Sequence, residues 1–140
     1  MTPITQRVIV AGIIIRNKKA LIIKRSSDEE IYPNYWELPS GKVRYGEDPN
    51  MAVMREVEEE TSIKVRPIKP LNINHFSFEE PENRHNIQIN YLVEDEDSES
   101  KVKLSEAHEE FAWISIEEMD DYNLFEDNKI SIKLALKESH

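Results

Sequence analysis

The chain is 140 residues long, carries 18 Lys and Arg against 28 Asp and Glu for a formal net charge of −10, and is 39% hydrophobic. That length supports one domain with its own core, and the composition is globular rather than disordered. With no cysteine, disulfides, thiolate metal sites and cysteine nucleophiles are excluded, which fits a reducing, cytoplasmic setting. The acidity also argues against binding a nucleic acid polymer. The longest apolar run, Val8 to Ile15, is too short to cross a membrane, and the opening Met1–Arg7 lacks the features of a signal peptide. No internal repeat or Gly/Ser-rich linker divides residues 1–140, so a single domain is expected.

In chain order, Arg7–Ile15 reads as a strand buried on both faces, and Ala20–Arg25 as a second strand after a turn at Asn17-Lys18-Lys19. Asp28–Asn34 is a loop, and Trp36–Leu38 a short extended piece ended by Pro39. Asp48 to Thr61 reads as a helix, with Asp48 as N-cap, Pro49 at the first position and Ala52, Val53 and Val57 on its apolar side. Ile63–Val65, His75–Phe78 and Asn86–Val93 read as strands, the last from the alternation of Ile87, Ile89, Tyr91 and Val93. Phe111–Ile114 is a further strand, Ser115–Glu118 a capping box, and Asn128–Glu138 a final helix. Strands and helices interleave without a strict βαβ rhythm, which implies an α/β fold with a mixed sheet between helices.

Charge is uneven along this order. Residues 94–127 carry fourteen acids and two bases, a block expected to be mainly solvated surface. On the helix over 48–61, Glu56, Glu59 and Glu60 stand at i, i+3 and i+4, which puts three carboxylates on one face. Such a face is either an ordinary solvated surface or a cation site. With oxygen ligands and no His or Cys among them, the cation would be Mg²⁺ or Mn²⁺, and Mg²⁺ commonly shares its shell with substrate phosphates.

The stretch around this face resembles the Nudix box. Gly41, Glu47, Arg55, Glu56, Val57, Glu59, Glu60 and Ile63 all fall on its pattern, and Ser62 stands where the family has glycine. Tyr35–Val43 is similar to the family's lead-in and Ala107–Trp113 to its late strand, so the likeness covers most of the chain. The family glycine implies a helix end in the left-handed conformation, where serine would cost about 1 kcal/mol or shift the helix end slightly.

The resemblance implies an α/β/α sandwich and a Mg²⁺-dependent hydrolase of nucleoside diphosphate-linked substrates, with Mn²⁺ as an alternative metal. By position, Glu56, Glu59 and Glu60 would be metal ligands together with the Gly41 carbonyl. Glu47 would sit near the metals or pair with Arg55, and the pair would orient the helix carboxylates. The base that takes a proton from the attacking water is left open between a helix carboxylate and Glu109 or Glu110. Arg25 and Lys42 are the cations expected to meet phosphate, while Lys24 should point to the opposite face. Phe76 and Phe78 offer rings to a base or belong to the core. Asn128 matches the purine-contacting asparagine of MutT-type members, although it or Asp127 could equally cap the last helix. His75, His85 and His108 fit no metal spacing and receive no role. The expected partner is a nucleotide-sized molecule, with the chain monomeric or homodimeric. A MutT-like nucleoside triphosphate pyrophosphohydrolase is the first reading. An ADP-ribose or nucleotide-sugar pyrophosphatase is the second. A non-catalytic nucleotide sensor is the third, and the retained helix carboxylates argue against it.

Overall fold

A computed structural model describes residues 3–79 and 82–139; Met1 and Thr2, at the start of the segment read for a signal peptide, lie outside them. The long first strand β1 (Ile4–Arg16) organises the rest. Alternation along it sends Val10 and Ile14 to one apolar cluster and Ala11 and Ile13 to the other. A residue buried on both faces of a sheet in this way needs a helix on each side. The helix α1 (Pro49–Thr61) covers the first face with Ala52, Val53 and Val57. The C-terminal helix α2 (Glu126–Glu138) covers the second with Ile132 and Ala135. Between Val10 and Ile14, Gly12 faces α1, and a Cβ there would stand 2.6 Å from Val57 Cγ2. Glycine lets the helix lie against the sheet at that point.

The remaining strands are β2 (Lys19–Arg25), β3 (Trp36–Glu37), β4 (Ser40–Lys42), β5 (Val65–Phe78), β6 (Asn83–Asp95) and β7 (His108–Ile114). β1 runs parallel to β6 from Ile4↔Asn83 to Ile14↔Val93. Its middle pairs antiparallel with β4 and its end with β2. β2 in turn holds β3 and β7, while β6 holds β5, all antiparallel. The expected mixed sheet between helices is therefore present.

Several expectations are corrected. Ile63–Val65 and His75–Phe78 are not separate strands: a single strand, β5, runs from Val65 to Phe78, and Ile63 precedes it. Pro67 and Pro70 conceal it in the sequence, and the register shifts at both prolines, where the missing N–H is accommodated by irregular pairing. β4 was not anticipated. The last helix begins at Glu126, with Phe125 in the N-cap position, so neither Asp127 nor Asn128 is its cap. The capping box does form, with Glu118 accepting from the Ser115 N–H at 3.0 Å, but it opens a 3₁₀ turn over Ile116–Asp121.

Asp48 caps α1 as expected, accepting from the Asn50 N–H at 2.8 Å. At the other end Ser62 is left-handed, with φ 66°, and its N–H reaches Glu58 O at 2.8 Å. The serine hydroxyl donates to Lys103 O at 2.9 Å, which offsets part of the conformational cost. The acidic segment after β6 wraps this same end: the N–H groups of Lys103 and Ser105 meet Thr61 O at 2.9 Å and Glu60 O at 3.2 Å. Arg16 ties the segment down, bonding Asp95 at 2.6 Å and Ser100 O at 2.8 Å while lying over the Trp113 ring.

Ser62→Ala keeps the left-handed backbone and loses the hydroxyl bond, so it should cost about 1 kcal/mol. Ser62→Gly loses the same bond but gains back about 1 kcal/mol of conformational strain, leaving it near the parent. Urea unfolding of the three proteins reads the difference; equal stability of the alanine and glycine variants would show that the position stores no strain.

Candidate active site

The site begins where β4 lies against β1, with Val10 opposite Gly41. This places Gly41 under the acidic face of α1. A Cβ on Gly41 would fall 2.0 Å from Glu56 Cδ and Oε2, a separation that any side chain forbids. The glycine of the motif thus admits a carboxylate directly against the backbone.

Arg55 holds the acids in place. Its Nε and Nη2 grip the two oxygens of Glu47 at 2.8 and 2.9 Å. Its Nη1 reaches Glu56 Oε1 at 2.7 Å and both Glu59 oxygens at 3.3 Å. Nη2 also donates to Lys42 O at 3.0 Å, which ties α1 to β4. The Arg55 hydrogen bonds, with help from the Arg44 N–H, pull the Glu47 carboxyl down to about 2, and Glu47 in turn raises Arg55. Glu56 is raised by burial, against the opposing pull of Arg55. Glu60 is pushed up to about 9, chiefly by burial, with Glu37 and Glu56 adding like charge. The Ser40 N–H donates to Glu60 at 2.8 Å and works the other way.

The donor chemistry suits a hard divalent cation: carboxylate oxygens on one helix face, a backbone cradle at Gly41, and two partly buried acids, Glu56 and Glu60, whose ionisation burial opposes. Among the described residues no three acidic or histidine side chains already converge as a metal shell. Arg55 takes the cation's part for Glu56 and Glu59.

A cleft of about 630 Å³ opens beside this face. Gly41 and Glu60 line it, as do Arg25, Lys42, Phe76, Phe78, Asp127 and Asn128. All six residues expected to touch substrate are thereby brought together. Glu47, Arg55, Glu56 and Glu59 do not line it. Lys42 has no ion pair among the described residues, whereas Arg25 is engaged with Glu37 at 3.3 Å, Glu29 at 3.4 Å and Ile31 O at 3.0 Å. Lys24 instead bonds Glu110 at 3.1 Å. Glu109 accepts from the Ser27 N–H at 2.6 Å, the main reason its pKa is lowered. Neither Glu109 nor Glu110 lines the cleft. Asn128 is 9% exposed, and its side chain has no hydrogen-bond partner among the described residues.

Sequence reasoning missed Glu37, His108, Asn74, Asn86 and Gln88, all of which line the cleft. Glu37 joins His108 Nε2 at 2.7 Å to Arg25, a link between β2, β3 and β7 that only the fold creates. A signal for the amides was available: the same alternation that marks Ile87 and Ile89 sets Arg84, Asn86, Gln88 and Asn90 on the opposite face. His75 and His85 meet at 3.1 Å on the other side of the sheet from Asn74.

The NUDIX domain family model matches residues 6–135. An RNA pyrophosphohydrolase of Pelagibacter ubique (strain HTCC1062) is 32% identical, with 91% of this chain and 87% of that protein covered. Nucleoside triphosphatase NudI of Enterobacter sp. (strain 638) is 27% identical, with 90% and 94% covered. Among solved structures, a MutT protein from Methanosarcina mazei Go1 superposes with a TM-score of 0.78 at 26% identity, covering 99% of this chain and 98% of that one.

Two outcomes follow from the geometry. Because Glu47 is held well below its ordinary value of 4.5, the stability it contributes is present above that pH and lost as pH falls toward about 2. The stability gap between the parent and Glu47→Gln in urea unfolding should therefore be full at pH 6 and smaller at pH 3; a gap independent of pH would assign it to packing. Gly41→Ala should fold, because Glu56 can swing away, yet lose at least about 100-fold in kcat as that carboxylate is displaced. Activity within threefold of the parent would show that the cradle is dispensable.

Proposed function

The chain belongs to the NUDIX family of hydrolases, and from that premise we propose that it is a Mg²⁺-dependent nucleoside triphosphate pyrophosphohydrolase, releasing a nucleoside monophosphate and pyrophosphate. The observation that carries this reading is the continuity of one cleft. Glu60, Gly41, Lys42, Arg25, Phe76, Phe78 and Asn128 all line it. A nucleotide needs the same kinds of group: cations for its phosphates, and rings and hydrogen-bonding side chains for its base.

Glu56, Glu59, Glu60 and the Gly41 carbonyl would hold the metal, with Mn²⁺ able to substitute. A divalent cation bound there would withdraw charge from the phosphoryl oxygens and lower the pKa of a bound water. Phosphoryl transfer requires little covalent assistance, so the protein's part is positioning and charge neutralisation. Lys42 supplies an unpaired positive charge to the phosphates. Arg25, clamped by Glu37 and Glu29, offers a guanidinium of fixed orientation. Arg55 and Glu47 set the direction of Glu56 and Glu59 without touching substrate. Of the acids considered as base, Glu60 lies on the cleft wall and Glu109 and Glu110 do not, which favours a helix carboxylate as the proton acceptor. Two relatives bear the names nucleoside triphosphatase and RNA pyrophosphohydrolase, which favours a phosphoric anhydride as the bond cleaved.

The test is a substrate panel of nucleoside triphosphates, nucleotide sugars and a 5′-triphosphorylated RNA oligonucleotide, with products identified. Pyrophosphate and a nucleoside monophosphate should appear from triphosphates, in a Mg²⁺-dependent manner. AMP plus ribose phosphate from ADP-ribose at a higher kcat/KM would overturn the proposal, as would preference for the RNA. Glu59→Gln should lower kcat at least about 100-fold on the best substrate; parent-like turnover would remove Glu59 from the metal site.

A further inference from the structure

Beneath the cleft, the sheet face turned toward α2 carries a ladder of amides that the proposed reaction leaves unused. Cross-strand register stacks it in rows: Asn72 beside Asn90, Asn74 beside Gln88, Phe76 beside Asn86. Asn90 is fully buried and lies at the centre. Its Nδ2 donates to Asn74 Oδ1 at 2.7 Å and to Asn72 Oδ1 at 3.2 Å, and its Oδ1 accepts from Gln88 Nε2 at 2.8 Å. Ser131 of α2 closes the ladder by bonding Asn72 Oδ1 at 3.0 Å.

A buried amide network costs desolvation and is commonly matched in stability by apolar side chains of similar size. The other side of the same strand is filled in that apolar manner, by Ile87 and Ile89. What the amides provide instead is polarity with a fixed direction. Asn90 engages one end of each neighbouring amide, so the other ends are left over. They are Asn74 Nδ2 and Asn72 Nδ2, both donors, and Gln88 Oε1, an acceptor, and none has a partner among the described residues. Of the three residues, Asn74 and Gln88 line the cleft and Asn72 does not. Threading the whole ladder the other way exchanges the two roles but still leaves the cleft one donor beside one acceptor.

We propose that Asn74 and Gln88 are specificity-determining residues that read the edge of the nucleobase, one as donor and the other as acceptor, with Asn90 as the positioning residue that fixes their opposite polarity. The inference rests on the nucleotide reading of the cleft. It commits the pair to the base rather than to ribose or phosphate. Both groups are neutral, whereas Lys42, with no ion pair among the described residues, is available to the polyanion. The next residue along the β5 face is Phe76, whose ring is 39% exposed and suits stacking on a planar heterocycle. Adjacent donors and acceptors on one edge are the feature by which bases differ.

The experiment uses the full chain and its Asn74→Asp and Gln88→Ala variants. It measures kcat and KM for ATP, GTP, CTP and UTP, and binding of the four nucleoside monophosphates and of ribose 5-phosphate. Asn74→Asp keeps an acceptor for Asn90 while removing the outward donor, and thermal unfolding confirms that each variant folds. The expected result is a KM about tenfold higher for the preferred nucleotide with kcat within threefold. Discrimination among the bases should shrink, and ribose 5-phosphate binding should not change. Equal losses for all four bases and for ribose 5-phosphate, or an unaltered base preference, would overturn the inference while leaving the nucleotide reading intact. A parent protein that neither binds nor turns over any of these nucleotides would overturn both.

Discussion

A single guanidinium determines what the rest of the site can be. Arg55 bonds Glu47, Glu56, Glu59 and the carbonyl of Lys42, joining the loop before α1, the helix itself and strand β4. Acids brought this close would otherwise repel and rotate away from each other. With Arg55 among them, two are held in defined directions, and Glu56 is kept against the bare backbone of Gly41. Glu60, which Arg55 does not reach, is pushed by burial toward protonation, and burial raises Glu56 as well, against the pull of Arg55. Attraction at one point and like charge at the next are the electrostatic character of this helix face.

The parts of this arrangement that follow from local chemistry are legible in the sequence. Asp48 and Pro49 announce the helix, spacing alone aligns Glu56, Glu59 and Glu60, and the serine at position 62 signals a strained helix end. Other parts are hidden for definite reasons. Two prolines interrupt the alternation of β5, so its middle does not look extended. β4 is three residues long and depends wholly on β1 for its pairing. The contact of Glu37 with His108 crosses 71 residues, and no periodicity can report it. The amides of β6 alternate visibly with its isoleucines, but their burial comes only from the fold, which encloses Asn86, Gln88 and Asn90 alike.

The net charge of −10 is unevenly distributed along the chain. Eight of the fourteen acids in residues 94–127 lie beyond residue 107, and four lie in the segment 96–107, which Arg16 fastens over the C-terminal end of α1. There its N–H groups satisfy carbonyls at the helix end that would otherwise lack partners. The cleft itself is lined by four bases and five acids, so Arg25 and Lys42 act there as local cations among carboxylates.

The parallel pairing of β1 with β6 joins residues about 80 positions apart in the chain, from Ile4↔Asn83 onward. All the carboxylates of the motif lie before residue 61, yet much of the cleft that gives them a use is supplied by strands β5 and β6 and the start of α2. The cleft is therefore complete only when β6 is paired with β1, a contact that closes a far longer loop than the neighbouring antiparallel pairs of β1 with β4 and of β6 with β5. The motif and the pocket are separate inventions of the chain, and one strand pairing makes them a site.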